Sequence, residues 1–243
     1  MESWILLGAT SAIARAFARR LATEGATLFL AGRDEAELEA IAADCRLRGA
    51  AGAEVLAFDA RDPAGYPALI ERLAAQEGVL NAASFVGSMP EQAAIDAEPR
   101  LIAGVIADSF TGPATFLQML APLLEARGAG TIVGIGSVAG DRGRLGNYVY
   151  GAAKAGFATY LSGLRNRCAR KGVHVLTVKP GPVDTSMTWG MKMPFMTSPE
   201  AVAADIARAV KRRRNVIYSA PIWRLVMTVI RLIPEPVFKK MSF

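Results

Sequence analysis

Seven short apolar runs recur along the chain with longer segments of helical period between them, and no other feature limits its folding so tightly. The runs are WILL (4–7), TLFLA (27–31), VLAF (55–58), VLNAA (79–83), TIVGI (131–135), VHVLTV (173–178) and VIYSA (216–220). The segments between them include 12–24, 35–48, 63–76, 99–127, 148–170 and 198–213. Strands that are apolar almost throughout suit a sheet buried on both faces, and strands alternating with helices join in parallel. The order predicts an α/β fold, a single doubly wound domain over 1–220 with a parallel sheet of about seven strands. Asp62-Pro63 and Ser198-Pro199-Glu200 support it, because each sets a capping side chain before a proline in the first helical turn.

The chain has 243 residues, 52% of them hydrophobic, enough for one large core with little left for a second. ESWILLGAT at the start reads as a strand entering a glycine turn rather than a cleaved leader, so a cytoplasmic location is expected. Cys45, Cys168 and the single His174 supply neither a disulfide framework nor the usual zinc ligands, and no metal is expected. The formal charge is +6, and much of the excess lies late, in Lys211-Arg212-Arg213-Arg214, Arg224, Arg231, Lys239 and Lys240. These cations are interleaved with apolar residues rather than base-stacking aromatics, a pattern that fits an anionic membrane surface better than nucleic acid; a solvated helix end is the plainer alternative.

After the first strand comes GATSAIARAFARRLA, in which Gly8 can take a tight turn and Thr10, Ser11, Ala12 and Ile13 open a helix. Backbone N–H groups at such a helix start can face a pyrophosphate, the arrangement of a Rossmann-type dinucleotide fold, although Ala12 and Ala14 stand where that fingerprint carries glycine. The second strand ends in Gly32-Arg33 rather than an acidic residue. A guanidinium there can take the 2′-phosphate of NADP(H), which is favoured over NAD(H), or it can simply be solvated. Asp59, followed by Ala60, is placed either for an adenine amino group or to cap the helix near Pro63. Asn81, Ala82 and Ala83 open the NAAS run of the fourth strand, whose small side chains would let a cofactor approach.

In GNYVYGAAKAGF (146–157), Tyr150 and Lys154 are four apart and share a helical face, whereas Tyr148 and Lys154 do not. An ammonium beside a phenol lowers its pKa and readies it for proton transfer, as carbonyl reduction requires. Ser137, ending TIVGIGS, could hydrogen-bond the same oxygen. A serine hydrolase is disfavoured: GIGSVAG lacks glycine two residues to either side of Ser137, and His174 lies early in a strand.

The ordered set GATSAIA, NAAS, Ser137, Tyr150-x-x-x-Lys154 and Pro180-Gly181-Pro182-Val183-Asp184-Thr185 resembles the short-chain dehydrogenases/reductases over nearly the whole chain. The resemblance implies that Tyr150 is the general acid, that Lys154 lowers its pKa and binds the nicotinamide ribose, and that Ser137 orients the carbonyl. It also implies that Pro180, Gly181, Val183 and Thr185 hold the nicotinamide end, and that the protein is a homodimer or homotetramer. Ser109 stands where the family commonly has an asparagine that supports a proton relay.

Residues 186–197, SMTWGMKMPFMT, carry Met187, Met191, Met193 and Met196 with Trp189 and Phe195, and such adaptable side chains suit an apolar or lipid-bearing substrate or, equally, packing on the chain's own core or a partner. Met187, Trp189 and Met191 are the substrate candidates there, with Ser137 and Tyr150. The tail 221–243 is too short and charged to span a bilayer, but Arg224, Thr228 and Arg231 share one helical face and leave the rest apolar, as in a helix lying in an interface. Within the family, this tail and GNYVYGAAKAGF resemble the branch of decaprenylphosphoryl-2-keto-ribose reductases. That implies a lipid-linked sugar substrate, a flavin oxidase partner and peripheral attachment to the inner face of the cell membrane. A soluble reductase of generic ketones or 3-ketoacyl groups, and a non-catalytic dinucleotide-binding sensor, are the other readings.

Overall fold

Alternate residues of the central strands enter opposite cores. In β1 (Glu2–Leu7), Trp4 and Leu6 join one apolar cluster while Ile5 and Leu7 join the other; in β2 (Thr27–Gly32), Leu28 and Leu30 part from Phe29 and Ala31 in the same way. This two-faced burial is why the strands read as continuous apolar runs. The computed structural model describes residues 2–190 and 193–241. Among these, β1, β2, β3 (Gly52–Ala57), β4 (Val79–Ser84), β5 (Thr131–Ile135), β6 (His174–Pro180) and β7 (Val216–Ser219) form one parallel sheet in the order β3-β2-β1-β4-β5-β6-β7. The seven strands of the sequence reading are all present.

Helices α1 (Ala12–Thr23) and α2 (Glu35–Leu47) cover one face together with the late helix Pro199–Lys211. The other face is covered by α3 (Tyr66–Ala74) and by the helices Gly112–Arg127 and Tyr148–Ala169. Because strand order reverses between β1 and β4, the connections after them part to opposite faces and leave a crevice at the carboxyl edge.

Three features differ from the periodicity. A short helix, α4 (Gln92–Ala97), falls in a stretch with no helical signal of its own. The segment 99–127 is not one helix: α5 (Leu101–Ile106) widens into a π-turn over Ala107–Thr111 before α6 (Gly112–Arg127). Pro113 has no N–H for the Ser109 carbonyl and its ring would strike that carbonyl in a regular helix, so the chain widens. Gly112 is needed at the same place, since a Cβ there would lie 2.1 Å from the carbonyl oxygen of Ala60. The third difference is at Asp62, which caps the 3-10 turn Pro63–Gly65 ahead of α3 by accepting from the Ala64 N–H.

Two long helices follow, α7 (Tyr148–Ala169) and α8 (Pro199–Lys211), the latter capped by Ser198 as expected. The tail forms α9 (Ile222–Leu232) and α10 (Glu235–Phe238). Trp223 and Met227 bury one face of α9 against Val138. Arg142 closes its far end, donating to the carbonyls of Ile230 and Ile233, each at 2.6 Å, and lying over the Phe238 ring with its guanidinium carbon 3.7 Å from the centroid. No helix among the described residues is long and apolar enough to cross a membrane.

Candidate active site

The turn from β1 to α1 forms one end of the crevice. Gly8 adopts φ of 73°, a left-handed conformation costly for any residue with a Cβ. Ser11 then caps α1, its hydroxyl accepting from the Ala14 N–H at 3.2 Å, and Ser11, Ala12 and Ile13 line the cleft. Thr10 turns its carbonyl away to accept from Arg15 Nε at 2.9 Å. Ala14 is wholly buried in the core under α1, the place where a dinucleotide fold needs a small residue for close helix–strand packing. The two alanines thus keep the helix start open.

Along the same edge, Gly32, Arg33 and Asp59 line a shallow groove. Arg33 is exposed and makes no ion pair among the described residues, while Asp34 beside it caps α2. Asp59 does not cap the turn at Pro63, because Asp62 does; its carboxylate accepts from the Arg61 N–H at 2.9 Å and keeps acceptor capacity toward the groove. Ala60 is buried beneath Gly112.

The fourth strand requires a correction. Asn81, Ala82 and Ala83 do not reach the cleft: both alanines are buried in the two cores, and Asn81 ties strands together, accepting from the Thr131 N–H at 2.8 Å and donating to the Ser3 carbonyl at 3.4 Å. The strand runs on to Ser84, so its open end falls at Phe85, Val86 and Gly87, which line the cleft instead.

At the other end stand the polar groups. Ser137 follows β5 and starts a 3-10 turn; Tyr150 and Lys154 come from the first turns of α7, and all three line the cleft. Lys154 is buried, donating to the carbonyls of Ile135 at 2.9 Å and Val86 at 3.1 Å. Its ammonium is 5.9 Å from the Tyr150 ring centroid and is engaged by backbone rather than by the phenol. The expected lowering of the tyrosine pKa is therefore not what the structure has. Burial pushes Tyr150 up to about 12, against a smaller opposing effect of the Ser137 hydroxyl, and burial brings Lys154 down to about 8. Tyr150 is a neutral acid held dry beside a cation.

Ser109 is completely buried in the π-turn and acts one step away. Its hydroxyl donates to the Ser88 carbonyl and accepts from the Ser88 N–H, at 3.3 and 3.2 Å, so it fixes the segment that presents the Val86 carbonyl to Lys154. It is a positioning residue.

Beyond β6, Pro180, Gly181, Val183 and Thr185 line the cleft as expected, and Thr185 caps the 3-10 turn Ser186–Thr188. Met187 joins this wall, with Met193. Trp189 is almost fully exposed and lies outside the lining, and Met191 falls outside the described residues. The sequence reading missed Trp223, Arg144 and Asn147, which also line the cleft. Trp223 enters from α9 so tightly that a Cβ on Gly181 would lie 2.0 Å from its indole nitrogen. His174 has a structural contact, its Nε2 lying 2.8 Å from the Arg214 carbonyl.

A nicotinamide dinucleotide fits these residues: a left-handed glycine turn, an open helix N-terminus, a groove whose guanidinium makes no ion pair among the described residues, and along the same cleft a buried indole N–H at Trp223 with no hydrogen-bond partner among them. The crevice with Ser137, Tyr150 and Lys154 defines an oxidoreductase that works on a carbonyl or alcohol carbon. The family model for short chain dehydrogenase matches residues 3–193. An uncharacterized oxidoreductase of Mycobacterium tuberculosis is 35% identical, over 98% of this chain and 96% of the relative. One of Streptomyces coelicolor is 34% identical, over 99% and 96%. A solved short-chain dehydrogenase from Sphingobium yanoikuyae, in complex with NADPH, superposes with a TM-score of 0.83 at 25% identity and covers 97% of both chains. The chain belongs to the short-chain dehydrogenase/reductase family and is an NAD(P)-dependent oxidoreductase.

Proposed function

We propose that the protein is an NADPH-dependent reductase of the 2-keto group of a polyprenyl-phosphate-linked pentose, the second step of a ribose-to-arabinose epimerisation whose ketone a flavin oxidase partner supplies. The observation that carries the lipid in this reading is the exposed apolar stripe of α9, the helix that also contributes Trp223 to the cleft. Ile222, Leu225, Val229 and Leu232 form an outward stripe on α9, the last three 63%, 55% and 76% exposed, while Trp223 of the same helix walls the cleft. Trp189, Met193 and Phe195 are exposed as well, with Phe195 edge-on to Trp223 at 6.2 Å between centroids. An exposed apolar stripe flanked by Arg224, Arg231, Lys239 and Lys240 is suited to an anionic membrane surface.

A nicotinamide held in this cleft would supply the hydride. Ser137 and Tyr150 donate hydrogen bonds to the carbonyl oxygen, and Tyr150 gives it the proton. Lys154, held by Ile135 and Val86, keeps a positive charge beside the phenol as that proton leaves. Arg33 receives the 2′-phosphate, in keeping with the NADPH of the Sphingobium structure. Family membership supports a homodimer or homotetramer.

A soluble reductase of generic ketones or 3-ketoacyl groups is the second reading, favoured by the catalytic residues it would share. Placing acidic charge in the outward stripe, with Leu225→Glu and Leu232→Glu, separates the two. The lipid reading expects loss of co-sedimentation with anionic vesicles and at least about a tenfold loss of turnover on vesicle-borne polyprenyl-phosphate keto-pentose, the factor given by about 1.4 kcal/mol. A short soluble ketone should be reduced as before. Absence of vesicle binding in the unaltered protein would leave the generic reductase as the better description.

A further inference from the structure

Two groups in the cleft are left without partners by the chemistry above. Arg144 lies in the loop between the Ser137 turn and α7, half buried; its backbone carbonyl accepts from the Asn147 N–H, but its side chain makes no hydrogen bond or ion pair among the described residues, and its Nε–H is enclosed with nothing to donate to. Asn147, three residues on and next to α7, has an enclosed side-chain amide oxygen that is equally unpartnered and leaves its helix without a side-chain cap. Both residues line the cleft with Tyr150.

Enclosing a guanidinium without a partner is costly, and burial pulls Arg144 below its ordinary pKa. Asp141 opposes this only in part, from a distance: its carboxylate is bound by the Lys179 ammonium and accepts from the Tyr218 hydroxyl at 2.7 Å, and it makes no ion pair with Arg144. No Asp or Glu lines the cleft among the described residues, while Arg144 and Lys154 both do. Lys154 has its two carbonyls; Arg144 has none. The dinucleotide phosphates have their own cradle at the start of α1, at Ser11 to Ile13, whereas Arg144 lies in the chain between the Ser137 turn and Tyr150. A planar fork of donors enclosed beside a reacting centre is suited to a bidentate contact with an oxyanion, and a rotated Asn147 amide would add an NH2 donor.

We propose that Arg144 and Asn147 form a substrate anion subsite, so that the ketones this enzyme reduces carry a phosphate, sulfonate or carboxylate near the reacting carbonyl. The subsite rests on carbonyl reduction in this cleft, not on a lipid.

The test is calorimetric titration of the NADP+-saturated enzyme with matched ketones: hydroxyacetone phosphate against hydroxyacetone, and acetoacetate against acetoacetamide. At least one anionic ketone should bind about tenfold or more tightly than its neutral partner, as a hydrogen-bonded charge gives. The two pairs identify which anion is preferred. Arg144→Met should erase the difference and Arg144→Lys should restore part of it, with NADP+ affinity unchanged in both. The proposal is overturned if the unaltered enzyme binds each anionic ketone no better than its neutral counterpart or binds neither, or if Arg144→Met weakens NADP+ as much as the anionic ketone. The comparison within the unaltered enzyme decides even if a variant misfolds. A lipid-linked reading that fails on vesicles leaves these soluble-ketone outcomes untouched, so the two failures can be told apart.

Discussion

The two ends of the cleft are built on opposite rules. At the dinucleotide end, recognition comes from backbone and smallness: a left-handed Gly8, the open start of α1, and alanines that serve where glycines would. At the reacting end it comes from side chains taken out of water, with Tyr150 pushed up to about 12 and Lys154 brought down to about 8 by burial. The first end tolerates substitution that preserves small size, because it relies on the direction of N–H groups that every residue but proline has. The second tolerates little, because its polar groups have been desolvated and depend on specific partners in place of water.

The sharpest break in that comparison is at the tyrosines. Tyr150→Phe should lower kcat by a factor on the order of a hundred or more, as loss of a general acid does, while NADPH binding stays nearly intact. Tyr148→Phe should be mild: Tyr148 is 44% exposed against 8% for Tyr150, and its hydroxyl is spent on Asp96. Equal losses in the two variants, measured by steady-state kinetics, would remove the distinction between a dry acid and a surface phenol.

At the dinucleotide end the expected loss is smaller and confined to one cofactor. Arg33→Ala should weaken NADPH by about 1.5–3 kcal/mol, a factor of roughly 10–100, and leave NADH little changed. Fluorescence titration of both cofactors checks this, and an unaltered enzyme that already prefers NADH would make Arg33 a solvated turn residue.

The smallest effect is a slope. Burial holds Lys154 at about 8 against an ordinary 10.5, so between those values the unfolded chain carries more protons than the folded one and stability rises with pH. Lys154→Met lacks this contribution. The stability of the unaltered apoprotein relative to that variant should therefore increase by about 1 kcal/mol from pH 8 to pH 9, read from denaturant midpoints. Tyr150 has the opposite sign but acts only above its ordinary value of 10.0. A flat difference would mean that Lys154 is better solvated than its position indicates.

These asymmetries also explain what could be read from the chain. The sheet was legible because burial on both faces writes itself as apolar runs, and Tyr150 with Lys154 because one helix turn fixes their spacing. Asn81 does not meet the cofactor as its small neighbours suggest, because the strand ends at Ser84 as read but the cleft opens only beyond it, and Asn81 is taken up by Ser3 and Thr131. The tyrosine pKa was misjudged because sequence spacing reports that an ammonium is near but not that two carbonyls hold it. Arg144 and Trp223 left no local signal, since what distinguishes them is a missing partner in one case and a contact with Gly181 in the other. The π-turn did leave one, in Gly112-Pro113, and that pair could have divided the long helical segment in advance.

Arg142 gives the tail a further property. Two buried side chains, Trp223 and Met227, and one guanidinium gripping the carbonyls at the end of α9 are its principal attachments. A unit fastened at so few points opens by local unfolding well below the cost of global unfolding, and its amides lose protection against hydrogen exchange together. Because Trp223 is both an attachment and a wall of the cleft, local unfolding of the tail would also take that wall away from the cleft.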